Sequence, residues 1–466
     1  MTQTISERLV QFSENLQYDD IPPEVIDKTK QHVLDLIGVC IGSTRIDFGK
    51  SALKLIGGWG GTREATLIGR RTKVPAHHAA LCNGILGHGQ DYDDTHTESV
   101  VHPSAALAPV ALAVAERTGC SGREMLTALI GGLEATIRIA MPALNKIHLR
   151  GFHTTSVAAT FGAALITARL EKIGLPRTVQ AVGIGGSFAS GLLECVPAGS
   201  GAKRLHAGWG ALCGIVAAQL AHADYTGPNT VFEGKLGVYN SFLRGEELDL
   251  DVVFKGLGRE WEILEIRPKL YPCCHYLQAF LDCAAALRRE KQIRAEDIAG
   301  ISCRIAQGAV NMVCEPWEKK LMPVTGYDAR FSLPFAVALM LIRGKAGVAE
   351  FSEKVAADPK IRQLMAKVKY AVEPKYEVKD MPGWVEVTLN DGSRHVQEVP
   401  EVRGNAKHPI ALEELLDKFN AGTASLGVAA GSRIADEVLA LDKQADIRGF
   451  MARLGGPRAA KSAAFG

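Results

Sequence analysis

Between Gly87 and Ser104 the chain reads GHGQDYDDTHTESVVHPS, three aspartates, one glutamate and three histidines in eighteen residues, just before an alanine-rich apolar run. Two kinds of chemistry use such a set: metal binding and proton transfer. A hard cation accepts Asp91, Asp93 and Asp94, and zinc accepts His88, His96 and His102, yet the spacing fits neither the calcium loop nor the H-E-x-x-H helix. A plainer reading stands beside both. Aspartates in a loop satisfy backbone N–H groups and cap the segment that starts near Ser104.

Other cations and imidazoles fall where a loop meets a helix. His153 sits in GFHTTS, Lys203, Arg204 and His206 in AKRLHAGWG, and Lys269 in RPKLYPCCHY. Helix N-termini add partial positive charge of their own, so the set suits a small molecule carrying several carboxylates. Removing a proton next to a carboxylate builds charge on its oxygens, which Lys203 and Lys269 would stabilise, and histidine supplies a base near neutrality. His77, His78 and His206 read as solvated or core histidines. The glycine-rich GIGGSFASG lacks the preceding strand that a dinucleotide-binding turn requires.

The elements that must position these groups are mostly helices. In PPEVIDKTKQHVLDLIGVCIG, Val25, Thr29, Val33, Leu36 and Cys40 recur at helical spacing, with Pro23 in the first turn. Helices are also expected after Pro75, after Ser104, in GREMLTALIGGLEATIRIAM and in SVAATFGAALITARLEKIG, which stops at Gly174. Gly183, Ser187 and Gly191 recur every four residues and would line one face of a further helix. Near residue 265 the texture changes: ISCRIAQGAV is strand-like, and WVEVTLNDGSRHVQEV reads as a hairpin around Asn-Asp-Gly. FSLPFAVALMLIRG and FSEKVAADPKIRQLMAKV between them look helical, as do PIALEELLDKFNAG and SRIADEVLALDK after them. The expected fold is therefore mainly α with a smaller α+β domain. Its parts are a helical domain over 1–265, an α+β unit over 266–402 and a helical return over 403–466, with a loose tail from Gly455.

Composition excludes several partners. Lys and Arg number 53 against 51 Asp and Glu, a net charge of +2 that gives no reason to expect nucleic acid or an anionic membrane. The ten cysteines form no C-x-x-C pair, so neither a zinc ribbon nor a disulfide framework is indicated. The apolar run at 105–115 is shorter than the roughly 20 residues of a membrane span, and the N-terminus lacks a secretory signal pattern. A cytoplasmic protein is expected.

NGILGHGQDYDDTHTESVVHPSAALAP, GFHTTSVAATFGAA, AKRLHAGWGA, YTGPNTVFEGKLG, KLYPCCHY and DARFSLPFAVAL resemble, in order and spacing, the MmgE/PrpD family. That family contains 2-methylcitrate dehydratases, cis-aconitate decarboxylases and an iminodisuccinate epimerase. The resemblance implies a helical domain built from both chain ends, an inserted α+β lid, a homodimer, and a site between the domains that uses no metal and no cofactor. It carries catalytic roles to Asp91, His102, His153, Lys203 and Lys269, and substrate contacts to Thr95, Arg204, His275 and Phe335. By this reading His102 or His153 removes a carbon-bound proton, Asp91 orients an imidazole, and Thr95 bonds a substrate carboxylate. Two positions depart from the family pattern: Phe335 replaces a tyrosine, and Gln278 stands where a histidine is common, with His275 one turn earlier. The expected activity is a metal-independent lyase of a small di- or tricarboxylate, similar to 2-methylcitrate dehydratase or cis-aconitate decarboxylase. The alternatives are an isomerase of an amino or imino dicarboxylate and a non-catalytic helical binder.

Overall fold

The computed structural model describes residues 3–456. It is mainly helical, with one small mixed sheet and two short strand pairs. The tail expected to be loose lies, from residue 457 onward, outside the described residues.

The helices Pro23–Ser43, Ala76–His88, Pro103–Thr118, Gly122–Ala140, Thr154–Glu171 and His206–His222 form the main body. Those spanning 103–118 and 154–171 are buried almost all round, which is why their sequences are apolar on nearly every face instead of striped, while 122–140 is also buried but encloses the ion pair of Glu134 and Arg138. The segment Gly122–Ala143 is long and apolar enough to cross a membrane, but its whole apolar window is buried inside the protein. Small residues set the packing distance. A Cβ on Gly84 would lie 2.6 Å from the Cα of Gly208, and one on Gly214 would lie 2.3 Å from the Ala163 side chain.

The helices Leu412–Thr423 and Val428–Leu439 return to this body and lie against Pro23–Ser43, with Phe419, Ile434 and Val438 in its core. The return also reaches inward. Lys418 pairs with the buried Asp35 at 2.6 Å and donates to the Tyr92 carbonyl at 2.7 Å, supporting the acidic loop from behind.

A second core draws on residues 273–402. Its sheet orders Val368–Val372, Ile298–Ile305, Gly383–Leu389 and Arg394–Val399, the first pair parallel and the others antiparallel. Val385 and Val387 alternate inward against the helices Gln278–Glu290 and Leu333–Arg343, while the hairpin turns at Gly392 with φ +86°.

Two expectations are corrected, and one strand pair is new. The helix after Gly174 stops at Gly185, so Gly183, Ser187 and Gly191 share no face. Gly191 instead has φ +123°, and a Cβ there would lie 2.8 Å from the Ser156 Cβ. This bend lets its carbonyl accept from the His153 N–H at 2.8 Å. The stretch FSEKVAADPKIRQLMAKV forms two short helices, Glu353–Ala356 and Pro359–Met365, because Pro359 pushes Asp358 out of helical backbone. Finally, Thr95–His96 and Ile266–Arg267 form an unanticipated antiparallel pair that ties the acidic loop to the start of the second core.

Candidate active site

The acidic loop leaves the helix Ala76–His88 and turns at Asp91, which adopts a left-handed backbone with φ +52° despite carrying a side chain. Three side chains hold it there. Tyr92 donates to the Leu270 carbonyl at 2.9 Å, and the buried Arg330 donates to the carbonyls of Gln90 and of Pro272, the latter at 3.0 Å. Lys269 donates to the Asp91 carbonyl at 3.2 Å.

The Asp91 carboxylate faces two ammonium groups, Lys269 at 2.7 Å and Lys203 at 3.3 Å. Burial opposes its ionisation, but Lys203 and Lys269 outweigh that and hold its pKa well below the ordinary range. Burial likewise opposes charge on Lys203, yet attraction to Asp91 raises its pKa. Asp91 therefore bonds the lysines and not, as expected from the sequence, an imidazole.

His102 precedes the helix Pro103–Thr118, with Pro103 fixing the first helical φ. Its Nδ1 lies 2.8 Å from the Asp94 carbonyl and 3.0 Å from the Thr95 hydroxyl. A carbonyl only accepts, so Nδ1 carries the proton and Nε2 keeps a free lone pair. The His102 backbone N–H donates to the Thr155 hydroxyl at 3.0 Å, fixing the ring's base. The carboxylate of Asp94 is itself held by His32 at 2.8 Å and by the Ser104 N–H at 3.3 Å.

Behind His102 lies a cluster of imidazoles. His88 bonds Asp93 at 2.7 Å, and its ring centroid is 5.1 Å from His102 and 5.5 Å from His153. His153 meets His206 with 3.0 Å between Nδ1 atoms, and its ring is 5.7 Å from His102 and 5.5 Å from His148. Burial, reinforced by Lys269 and Lys203, holds the His102 pKa well below its usual value; burial and Lys203 do the same for His153. Burial brings His148 down to about 3 and His206 to about 4. At neutral pH these four are uncharged.

A cavity of about 500 Å³ opens onto this cluster between the helical body and the second core. Asp91, Thr95, His102 and Lys203 line it from the body, and His275 lines it from the other side. Among the described residues neither ring nitrogen of His275 has a protein partner, although the residue is buried; burial and then Lys269 hold its pKa well below the usual value. His153 and Lys269 stand behind this wall, touching the cavity through His102 and Asp91.

Two expected contacts are displaced. Arg204 lies between the rings of Phe48 and Tyr327, at 4.7 and 4.0 Å, and donates to the Gly89 carbonyl, so it braces the loop from outside the cavity. Phe335 points into the second core against Phe351, and Phe331 lines the cavity instead. Gln278, at the histidine-bearing position of the family pattern, accepts from the N–H groups of Leu270 and Tyr271 at 3.1 and 3.0 Å. It holds the loop that delivers Lys269. The three aspartates do not converge: Asp91 serves the lysines, Asp93 serves His88 and Asp94 serves His32. Among the described residues no three His, Cys, Asp or Glu side chains form a metal-ligand set.

Residues 7–251 match the MmgE/PrpD N-terminal domain and residues 271–443 match the MmgE/PrpD C-terminal domain. The chain belongs to the MmgE/PrpD family. Curated relatives within reach include the cis-aconitate decarboxylase of Aspergillus terreus (strain NIH 2624 / FGSC A1156), 25% identical over 477 residues, covering 97% of this chain and 96% of that one. The cis-aconitate decarboxylase of Homo sapiens is 26% identical over 445 residues, covering 91% and 89%. Seen in this MmgE/PrpD member, His32, His148 and Arg330 are parts of the site that the sequence did not single out, and Asp94, weighed there only as a metal ligand or a cap, instead holds His102 and His32. His32 sits in an ordinary amphipathic helix and carries no local signal. Arg330 lies inside the quoted DARFSLPF motif, but nothing in the sequence marks its guanidinium as buried.

Proposed function

We propose that this chain is a lyase that acts on a small polycarboxylate by moving a proton at a carbon next to a carboxylate. The observation that carries the reading is the uncharged His102, whose Nδ1–H is committed to the Asp94 carbonyl and whose Nε2 is left for the cavity beside Lys203. Family membership and the cis-aconitate decarboxylases among its relatives support the same class. The reading includes a cytoplasmic homodimer that works without metal or organic cofactor.

Binding begins with charge. Lys203, backed by Lys269 and by the N-terminal end of the long helix Pro103–Thr118, attracts a carboxylate to the wall beside Asp91. In a dehydration His102 Nε2 takes the carbon-bound proton, and the electron pair moves into the adjacent carboxylate, whose growing charge Lys203 stabilises. Hydroxide then leaves from the neighbouring carbon as a proton reaches it. In a decarboxylation the carbon–carbon bond breaks first, the electrons enter the remaining conjugated carboxylate, and an imidazolium returns a proton to carbon. The substrate's own negative charge would raise the His102 pKa for that step. His153 and His88 serve as positioning residues that buttress the ring.

One observation favours a second reading. His275 presents an unpartnered imidazole from the wall opposite the helical body, and two bases facing one carbon are what an epimerase of an amino or imino dicarboxylate needs. Proton NMR in heavy water separates the readings. Incubation with citrate, 2-methylcitrate, cis-aconitate and amino-dicarboxylates gives vinyl signals or consumption of the alkene for a lyase, and deuterium exchange without elimination for an epimerase. Silence with every compound refutes both.

A further inference from the structure

We infer that His206 and His153 form a proton-entry route that recharges His102 from the outer surface while substrate fills the cavity. The inference rests on the decarboxylation form of the lyase reading, because only that form consumes a proton.

Proton balance creates the need. Loss of carbon dioxide breaks a carbon–carbon bond and leaves its electron pair on the substrate, and that pair must take up a proton in every turnover. His102 rests uncharged with its N–H committed to the Asp94 carbonyl, so the ring holds no proton to give. The proton has to come from solvent. A bound polycarboxylate occupies the cavity side of His102, so the supply has to reach the ring from behind.

Behind it, one path leads out. Besides His102, three imidazoles lie against His153, at centroid distances of 5.1 to 5.5 Å. His88 is fully buried, with Nδ1 held by Asp93 and Nε2 closed to solvent. His148 lines the cavity itself and opens to the space that substrate fills. His206 differs from both: it is 7% exposed, does not line the cavity, and places its Nδ1 3.0 Å from Nδ1 of His153. Among the described residues its Nε2 has no protein partner, yet it is not shut off from solvent as the same atoms of His88 and His153 are.

Two Nδ1 atoms at that distance share a single hydrogen, so one ring donates and the other accepts. With His206 as donor, the hydrogen of His153 sits on Nε2, the enclosed nitrogen with no other partner, in a ring 5.7 Å by centroid from His102. A solvent proton binds His206 Nε2, and the Nδ1 proton of His206 passes to His153 Nδ1. His153 then releases its Nε2 proton to His102 Nε2, and the imidazolium so formed protonates the carbon. Every N–H bond broken is matched by one formed, and the net change is one solvent proton placed on the product. After product release, water readmitted to the cavity drives the same steps in reverse and restores the starting tautomers. Neither His206 nor His153 touches substrate; both act through His102.

The surroundings suit passage over storage. His206 opens the helix His206–His222, whose N-terminal end joins burial, His88 and Lys203 in opposing a resident charge there, so a proton taken up moves on. Gly191, whose carbonyl holds the His153 N–H, leaves room for the pair: a Cβ there would lie 3.6 Å from His206 Cδ2.

Steady-state release of carbon dioxide from cis-aconitate by the full chain tests the route. His206→Gln keeps an amide N–H for His153 Nδ1 but cannot pass a proton, and is expected to lower kcat at least about tenfold with KM unchanged. His206→Ala opens a space at the outer surface, and added imidazole should restore its kcat saturably. A merely structural role would be satisfied by Gln and indifferent to imidazole. Native kcat in His206→Gln, or a loss in His206→Ala that imidazole does not repair, overturns the route and leaves the lyase reading standing. Elimination of water without release of carbon dioxide also overturns the route alone, since no net proton is then consumed. Absence of any reaction overturns both.

Discussion

Replacing Asp91 by Asn removes the carboxylate that two buried ammonium groups share. At 2.7 and 3.3 Å from Lys269 and Lys203, and with an effective dielectric near 20, the lost attraction is about 6 and about 5 kcal/mol. Desolvation of the carboxylate offsets part of this, and the Asn oxygen still accepts one hydrogen bond, so a net loss of about 3–5 kcal/mol is expected near pH 7. The variant has a way to recover. With its counter-charge gone, one buried lysine titrates below its unfolded value of about 10.4, so the unfolded chain binds more protons than the folded one between those two values. Stability of the variant relative to the native chain must therefore rise with pH. Urea unfolding followed by circular dichroism near pH 7 and near pH 9.5 should show the deficit shrinking by at least about 1 kcal/mol. A deficit under about 1 kcal/mol near pH 7, or one that does not change with pH, refutes the picture of a doubly bound Asp91.

Three further outcomes follow from the same geometry. His102→Gln should lower turnover at least about a hundredfold while leaving urea stability within about 1–2 kcal/mol, checked by steady-state kinetics beside unfolding curves. Because burial and Lys269 depress the His102 pKa, its basic form persists below its usual range. The acid limb of kcat/KM should then lie well under pH 6.5, provided the substrate carboxylates stay ionised, and an ordinary limb near 6.5 would contradict the burial of this ring. Gly191→Ala forces a side chain onto a φ of +123° and toward the Ser156 Cβ, so thermal unfolding should register a loss of about 1–3 kcal/mol.

Much of this molecule is legible from its residues, and the rest is hidden for identifiable reasons. Helices such as Pro23–Ser43 and Leu412–Thr423 announce themselves by spacing and by Pro or capping residues, and the hairpin by Val385, Val387 and the turn at Gly392. Gly191 misled because a four-residue recurrence of small residues fits a helix face as well as a tight bend. In the site, His102, Lys203 and Lys269 stand out as cations and imidazoles at element boundaries. Their partners do not, because pairings such as Asp94 with His32 and Lys269 with Asp91 join residues distant in sequence. The misplacement of Phe335 has a simple cause. Phe331 lies just before the N-cap Ser332, outside the helix, and lines the cavity, whereas Phe335 stands in the first turn of the helix Leu333–Arg343 and packs into the core beside Phe351.

His102 waits as a neutral imidazole with Nε2 open to the cavity. Nitrogen-15 NMR of histidine-labelled protein near pH 6.5, assigned by the His102→Gln variant, reads this state directly. The structure predicts a neutral, Nδ1-protonated ring whose Nε2 resonance shifts when succinate is added. A doubly protonated ring, the opposite tautomer, or a resonance indifferent to the carboxylate would contradict this state of His102.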